Sequence, residues 1–486
     1  MDWAFDNSFH DSMEGFYAPA EAAKPSAPKL LIFNHALAGR LGIAVGDATE
    51  EQLARIFSGE EMPGGATPLA LAYAGHQFGH FSPQLGDGRA LLLGEVVAPD
   101  GARFDIQLKG SGPTPFSRNG DGRAAIGPVL REYLMSEAMA ALGVPTTRSL
   151  AAVATGDRVQ REHAHPGAVL TRVASSHVRV GTFQFFAAHF GADHVVQLSD
   201  YVIRRHFPDL VDTNNPHLAL LNRVIGLQCE LVAQWLGVGF VHGVMNTDNV
   251  AVSGETIDYG PCAFMDRFSV NTVFSSIDAN GRYAYGRQPQ ILHWNMARFA
   301  EALLPAIHAV DPTDVEAAKD IINEIPERFR TAWHAHIRRK LGLKDIADDA
   351  TLIDNLFDAL EGHGVDFTSF FRALAMLLRG DGSMLERLLP APDAMAPWIG
   401  DWWEHIEREE LGPLEIADAM DAVNPVYIPR NHLVEAALGA AEAGDLAPWL
   451  ELLEVVRHPY MPRPAWALFA GPAPIEFGPY KTFCGT

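Results

Sequence analysis

HGVMNTDNVAVSGETIDYG, residues 242–260, is the stretch on which the reading of this chain turns. In its last four residues a short apolar lead, Ile257, brings Asp258 to a turn where Gly260 lets the backbone swing. A carboxylate so placed can hold a divalent cation against phosphate oxygens. Asn249, nine residues earlier, supplies a neutral oxygen for the same ion. The segment between, VAVSGET, reads as a small hairpin with Gly254 at its tip, which would bring both ends together. Asp248 stands directly before the asparagine. It can take a proton from an attacking hydroxyl or support a metal ligand, but Asn-Thr-Asp-Asn is also turn-capping chemistry.

The order of these residues follows the catalytic strip of kinase-like phosphotransferases: His-x-Asp-x-x-x-x-Asn, a hairpin, then Asp-Phe-Gly or Asp-Tyr-Gly. His242, Asn249 and Asp258-Tyr259-Gly260 fit it. The slot two after the histidine, where a kinase keeps its base, holds Val244. A kinase-type phosphotransferase therefore lacks its key acid here. A catalytically dead nucleotide-binding scaffold is the other alternative, and the survival of Lys109, Asp248, Asn249 and Asp258 argues against it.

A sheet-rich front meets a helix-rich back. LLLGEVV from Leu91 and ARFDIQLKG (102–110) read as a hairpin across Pro99-Asp100-Gly101, with Lys109 at its far end. Residues 126–143 read as a helix with Ile126, Leu130, Leu134 and Ala138 on one face, stopped by Gly143 and Pro145. GAVLTRVA (167–174) reads as a strand, LLIFNHALAGRLG (30–42) as a helix stopped by Gly42, and 51–58 as a short helix. A long helix over 215–239 ends at glycine just before the strip. The expected plan is α+β, a protein-kinase-like two-lobed fold. Residues 1–60 form an N-terminal extension, and 61–195 an N-lobe with a nucleotide-binding sheet and helix. Residues 196–400 form a helical C-lobe, and 401–486 a helical C-terminal extension with a cysteine-containing tail.

Lysine usage singles out one residue. The 486-residue chain has 37 Lys and Arg, yet between Lys29 and Lys319 the only lysine is Lys109. A compact ammonium suits that position better than a planar fork. Glu132 and Glu137, on the following helix, are its candidate partners. Gly-Asp-Gly-Arg-Ala occurs at 86–90 and again at 120–124. Such glycine turns expose amide N–H groups that can cradle phosphate, though each also reads as a plain tight turn. Arg172 and Arg179 lie seven apart. On a helix they would share a face, and in a strand-plus-loop both could fold back over a cleft. With Arg89 and Arg123 they make a local basic field suited to a polyphosphate.

The formal net charge of -23 excludes a general nucleic-acid binder or a protein of anionic membrane surfaces. No apolar run reaches the ~18 residues of a membrane span. The first residues carry early acids and no basic-then-apolar pattern, so the expected location is the cytoplasm. Three cysteines without a CxxC exclude a disulfide framework and a structural zinc site.

YAGHQFGHFSPQLGDGRA, DIQLKGSGPTPFSRNGDGRAA, REYLMSEAM, GAVLTRVASSHVRVGTFQ, HGVMNTDNVAVSGETIDYGP and the tail YKTFCGT together resemble the selenoprotein O (SelO) family, in order and over nearly the whole chain. The resemblance implies a kinase-like fold that binds ATP flipped relative to kinases. It implies transfer of AMP to hydroxyl side chains of proteins, with Mg²⁺, or Mn²⁺ as the alternative. Carried onto this sequence, it implies nucleotide contacts from Gly86, Gly88, Arg89, Lys109, Asp121, Gly122, Arg172, Arg179 and Asp258. It implies Glu132 as the partner of Lys109, Asp248 as proton acceptor, and Asn249 and Asp258 as metal ligands. Some members carry a selenocysteine near the C-terminus. Cys484 stands there in this chain, and a redox pairing with Cys262 is part of the same expectation.

Overall fold

The computed structural model describes residues 3–344, 349–389 and 392–483. The fold is mixed α+β. The front of the chain supplies β1 (Tyr17–Pro19), β2 (Lys29–Phe33), β3 (Leu69–Leu71), β4 (Gly75–Gln77), β5 (His80–Ser82), β6 (Ala90–Val97), β7 (Arg103–Lys109), β8 (Ala124–Ala125), β9 (Arg148–Gln160) and β10 (Ala164–Ala174). An eight-stranded sheet runs in the order β1-β3-β6-β7-β10-β9-β2, with β8 pairing beside β10, while β4 and β5 form a separate hairpin.

Period-2 alternation decides which side chains reach the site. Along β7, Ile106 and Leu108 enter a hydrophobic core with Leu37, Leu53 and Phe57. Those three come from α1 (His35–Leu41) and α2 (Glu50–Phe57). Gln107 and Lys109 therefore face the other way. On β10, Val169 and Val173 join the same core, which turns Leu170 and Arg172 to the side of Lys109. Register completes the placement, since Leu170 lies opposite Lys109 and Arg172 opposite Gln107.

On the inner face lies α3 (Ile126–Ala141). The sequence suggests one buried stripe, but this helix is buried nearly all round. C-terminal helices at Asn431–Glu442 and Ala447–Val456 cover the side turned away from the sheet. Trp449 Nε1 donates to Leu130 O at 3.2 Å, and the Trp449 ring meets Tyr133 edge-on at 5.5 Å. A helix apolar on all sides is what such double cover demands.

One sequence expectation is corrected at the front. Residues 30–42 are not one helix. Lys29–Phe33 is strand β2, paired antiparallel with β9. Asn34 then caps α1, its side chain accepting Leu37 N–H, and Gly42 ends the helix in the left-handed region at φ 72°. The pairing partner β9 has no strong strand signature, being rich in Ala, and it forms because β2 and β10 flank it.

Behind the sheet, α4 (Val180–His189), α5 (Ala192–His206) and α6 (Pro216–Gly237) lead to the strip. Asn215 caps α6 and Pro216 opens it. The strip itself is held at both ends by a two-stranded ribbon, Phe240–Val241 against Ala263–Phe264. The helix Gln288–Val310 and others follow. Among the described residues no helix is long and apolar enough to cross a membrane.

Candidate active site

Between the sheet, α3 and the strip lies a cavity of about 430 Å³. Lys109, Glu132, Arg172, Arg179, Val244, Asp248, Asn249 and Asp258 all line it. Asp258 is its electrostatic centre. The residue sits at φ 64°, a left-handed conformation uncommon for a residue with a Cβ. Its Oδ1 accepts from Lys109 Nζ and from Arg172 Nη1, each at 2.7 Å, and its Oδ2 accepts from Arg179 Nη1 at 2.7 Å. Burial by itself would raise this carboxyl; Lys109, Arg179 and Arg172 overturn that and hold it well below the usual range.

Lys109 Nζ also reaches Glu132 Oε2 at 2.6 Å, and Glu132 Oε1 takes Arg172 Nη1 at 3.2 Å. Of the two candidate glutamates it is Glu132 that meets the lysine. Glu137 is bound instead by Arg148 at 2.8 Å and Arg457 at 3.1 Å. Arg172 and Arg179 converge as strand-plus-loop residues, one on β10 and the other capping α4. Gln107 Oε1 orients the Arg172 fork, accepting from Nη2 at 2.6 Å.

Asp248 occupies a different electrostatic environment. Among the described residues its Oδ2 accepts only a long 3.4 Å bond from Gln77 Nε2, and its buried Oδ1 has no partner. Burial pushes this carboxyl up to about 6. A half-satisfied carboxylate with a raised proton affinity is suited to accept a proton from a hydroxyl. Two glycines make room for it. A Cβ on Gly75 would lie 2.2 Å from Asp248 Oδ1, and one on Gly181 would lie 2.2 Å from Ala74 O and 3.2 Å from Asp248 Cα.

Asn249 Nδ2 donates to Val244 O at 2.9 Å, which leaves the side-chain oxygen as the atom open to a ligand. Among the described residues no group of three or more His, Cys, Asp or Glu side chains could hold a metal unaided. The donors here, one amide oxygen and one carboxylate, fit Mg²⁺, which commonly takes one or two protein ligands and completes its shell with phosphate oxygens and water. His242 is structural. It is fully buried, pairs through Nε2 with Ile257 O at 2.9 Å, and stacks on Trp235.

The segment 250–256 is not a self-paired hairpin, as the sequence suggested. Its arms bridge outward, Ala251 to Arg179 and Thr256 to Thr146. Those bridges tie the strip to the sheet side of the cavity, a better anchor than a free hairpin.

The two Gly-Asp-Gly-Arg-Ala copies part company. In the first, Gly88 and Arg89 line the cavity. Gly86 lies beneath Phe116, where a Cβ would come within 2.3 Å of the ring. In the second, Asp121 and Gly122 do not line it. Asp121 pairs with Arg161 at 2.9 Å, Gly122 lies against Gly112, and Arg123 pairs with Asp157 at 2.8 Å. Arg118, in the same loop, does line the cavity. Arg118 gave no sequence signal beyond its being an arginine between the two glycine turns. Asp87, inside the first glycine turn, lines the cavity as well. It is buried, accepts from Gln107 Nε2 at 3.1 Å, and stands 3.8 Å from Arg179.

The family model described as protein adenylyltransferase SelO matches residues 1–457. The chain belongs to the SelO family. It is 78% identical to a protein nucleotidyltransferase YdiU of Sphingopyxis alaskensis, with both chains covered in full. A protein of the same name from Cereibacter sphaeroides is 53% identical over the full length of both. One from Chromobacterium violaceum is 54% identical over 97% of this chain and 99% of its own.

The SelO-type tail reaches the site. Thr482 N–H donates to Phe274 O at 2.8 Å, Thr482 Oγ1 donates to Pro261 O at 2.7 Å, and Phe483 lines the cavity. Cys262 is a buried free thiol, pushed up to about 12 by burial. Its expected redox partner, Cys484, lies outside the described residues.

Proposed function

We propose that this SelO-family chain is a protein adenylyltransferase, transferring AMP from ATP to hydroxyl side chains of proteins with release of pyrophosphate. The observation that carries the reading is the pairing of Val244 with Asp248. The kinase-base position is apolar, while the next acid along is buried, half-satisfied and raised in proton affinity. The nucleotide lies with its α-phosphate toward Asp248, flipped relative to a kinase, and its outer phosphates toward basic residues. Arg89 and Arg118 line the cavity and, among the described residues, form no ion pair, so they are free to take those phosphates.

In the transfer step the acceptor hydroxyl oxygen attacks the α-phosphorus and its proton passes to an Asp248 carboxylate oxygen. The bond between the α-phosphorus and the bridging oxygen breaks, and both its electrons leave with pyrophosphate. Lys109, Arg172 and Arg179 stabilise charge on the phosphates, with Glu132 holding the lysine in place. Asn249 and Asp258 would hold a divalent cation, Mg²⁺ or Mn²⁺, which supplies further neutralisation of phosphate charge when bound. Gly86, Gly88, Asp121 and Gly122 support the nucleotide through their loops.

The same reading organises the chain as a kinase-like pair of lobes. The N-lobe is 61–195 and the helical C-lobe 196–400, preceded by the extension 1–60 and followed by 401–486. The Lys109–Glu132 pair between sheet and helix, and the strip behind them, support it.

The test is incubation with ATP labelled at either the α- or the γ-phosphate. Label entering protein from the α-position alone is the expected result. Label from the γ-position would make this a kinase.

A further inference from the structure

The cavity does not end at Asp248. The hairpin β4–β5 forms one wall, and its turn residue Phe78 lines both this cavity and a second, open groove of about 540 Å³. Asn280, Arg282, Arg287, Gln290 and Ile291 line the rest of that groove. Phe78 is held firmly between the two. Its backbone lies at φ 51°, a strained conformation for a bulky residue. Its N–H donates to Asn246 Oδ1 at 3.1 Å and to Tyr283 OH at 3.2 Å. The preceding residue, Gln77, is the one that touches Asp248. One short turn thus has the proton acceptor on one side and the groove on the other.

The charge of the groove runs against the charge of the chain. The protein carries a formal -23, yet Arg282 and Arg287 line this surface and, among the described residues, neither forms an ion pair. Arg282 lies 4.8 Å from the Trp294 ring and 5.7 Å from that of Tyr283, which hold the guanidinium in place. The nearby Asp278 carboxylate is occupied by the backbone N–H groups of Arg282 and Tyr283, each at 2.8 Å. Arg287 is exposed and donates from Nη1 to the carbonyls of Asn280 and Gly281 at 3.2 Å. Arg298, the next arginine along, is by contrast already paired with Glu301 at 2.6 Å. Two pre-positioned guanidiniums without carboxylates are a receptor for carboxylates.

We infer that the groove docks the acceptor protein through an acidic segment flanking the target hydroxyl. Arg282 and Arg287 take the flanking carboxylates, and the hydroxyl passes Phe78 to reach Asp248. This deepens the adenylyl-transfer reading and rests on it for the fate of the hydroxyl, while the groove's preference for acidic chains can be measured separately.

The experiment uses the full chain and labelled peptide pairs built around a central Ser, Thr or Tyr. One peptide of each pair carries Asp and Glu on both sides of the hydroxyl, the other Asn and Gln. Binding is read by fluorescence polarisation, and transfer from α-labelled ATP. The acidic peptide is expected to bind roughly tenfold tighter, with a margin that shrinks as salt is raised. Arg287→Glu, a change at an exposed position, should abolish the margin. The double variant Arg282→Gln/Arg287→Gln should raise KM for the acidic peptide far more than it lowers kcat. Equal binding of the two peptides, no binding of either, or a preference that survives both variants would overturn the inference. An acidic peptide that binds with preference but receives no AMP would leave the groove standing and sink the transfer reading. Transfer without preference would do the reverse.

Discussion

Lys109 Nζ lies 2.7 Å from Asp258 Oδ1, so the ammonium at the end of β7 and the carboxylate of the Ile-Asp-Tyr-Gly turn neutralise one another directly. Arg172 and Arg179 share the same carboxylate. Asp258→Asn therefore removes the common partner of three cations at once. Among the described residues Arg172 and Lys109 would retain one carboxylate, Glu132, and the nearest remaining carboxylate to Arg179 would be Asp87 at 3.8 Å. Breaking a buried pair from one side costs about 3–5 kcal/mol. The expected outcome is a clear loss of thermal stability without nucleotide, together with a drop in AMP transfer of at least about 100-fold. ATP added without a divalent cation should restore more stability to the variant than to the wild type, because the polyanion replaces the missing charge. A variant as stable as the wild type in differential scanning calorimetry would contradict the electrostatic account.

Asp248 calls for a different signature. Its carboxyl touches Gln77 weakly and, among the described residues, carries no ion pair, so Asp248→Asn leaves the phosphate-facing cations in place. Transfer should fall by about 10²–10⁴, the usual span for loss of a general base. Nucleotide affinity, read by calorimetric titration, should stay within about threefold. Parallel loss of affinity and rate would mean that Asp248 binds nucleotide rather than taking the proton.

The space around that carboxylate can be tested without touching it. Gly75→Ala would put a Cβ 2.2 Å from Asp248 Oδ1. The carboxylate must then turn, and a displacement of about 1 Å near reacting atoms can cost 10²-fold in rate. The expected variant binds ATP normally and transfers AMP about 10–100-fold more slowly. Gly226→Ala, within α6 and with open space around the added carbon, is the control. It should gain about 0.5–1 kcal/mol of stability and keep its activity.

The local signals in the sequence were enough for the hairpin β6–β7, for α3 and α6, and for the order of His242, Asn249 and Asp258 along the strip. Each of those rests on periodicity or turn chemistry contained within a few residues. What escaped depends on distant partners. β9 mixes small, polar and charged residues and becomes a strand because β2 and β10 pair with it. Gly75 and Gln77 belong to a short hairpin with no relation in sequence to Asp248, 171 residues beyond Gln77. The second Gly-Asp-Gly-Arg-Ala reads like the first, yet its Asp121 is drawn off by Arg161, a residue in the tip between β9 and β10. Burial of α3 on both sides could not be foreseen either, since the covering helices lie about three hundred residues downstream.

Glu255 gives a pH-dependent test of the anchoring of the strip. It accepts from Ser175 N–H at 3.0 Å, from Ser175 Oγ at 3.1 Å and from Ser253 Oγ at 2.8 Å, and among the described residues it forms no ion pair. Ser175 belongs to the loop between Arg172 and Arg179, and Glu255 lies between Asn249 and Asp258, so the contact ties the two halves of the site together. Burial raises the Glu255 carboxyl from 4.5 to about 7. The folded state thus holds a proton that the unfolded chain has already released between those values. Stability from this group is fully present below about 4.5 and is lost as pH rises through about 7. Glu255→Gln keeps an acceptor oxygen and removes the titration. Its melting temperature should match the wild type near pH 5 and exceed it near pH 8, by the equivalent of about 2–3 kcal/mol. A difference between the two proteins that does not change with pH would show that the glutamate is charged throughout, and that the Ser175 contact is an ordinary ionised one.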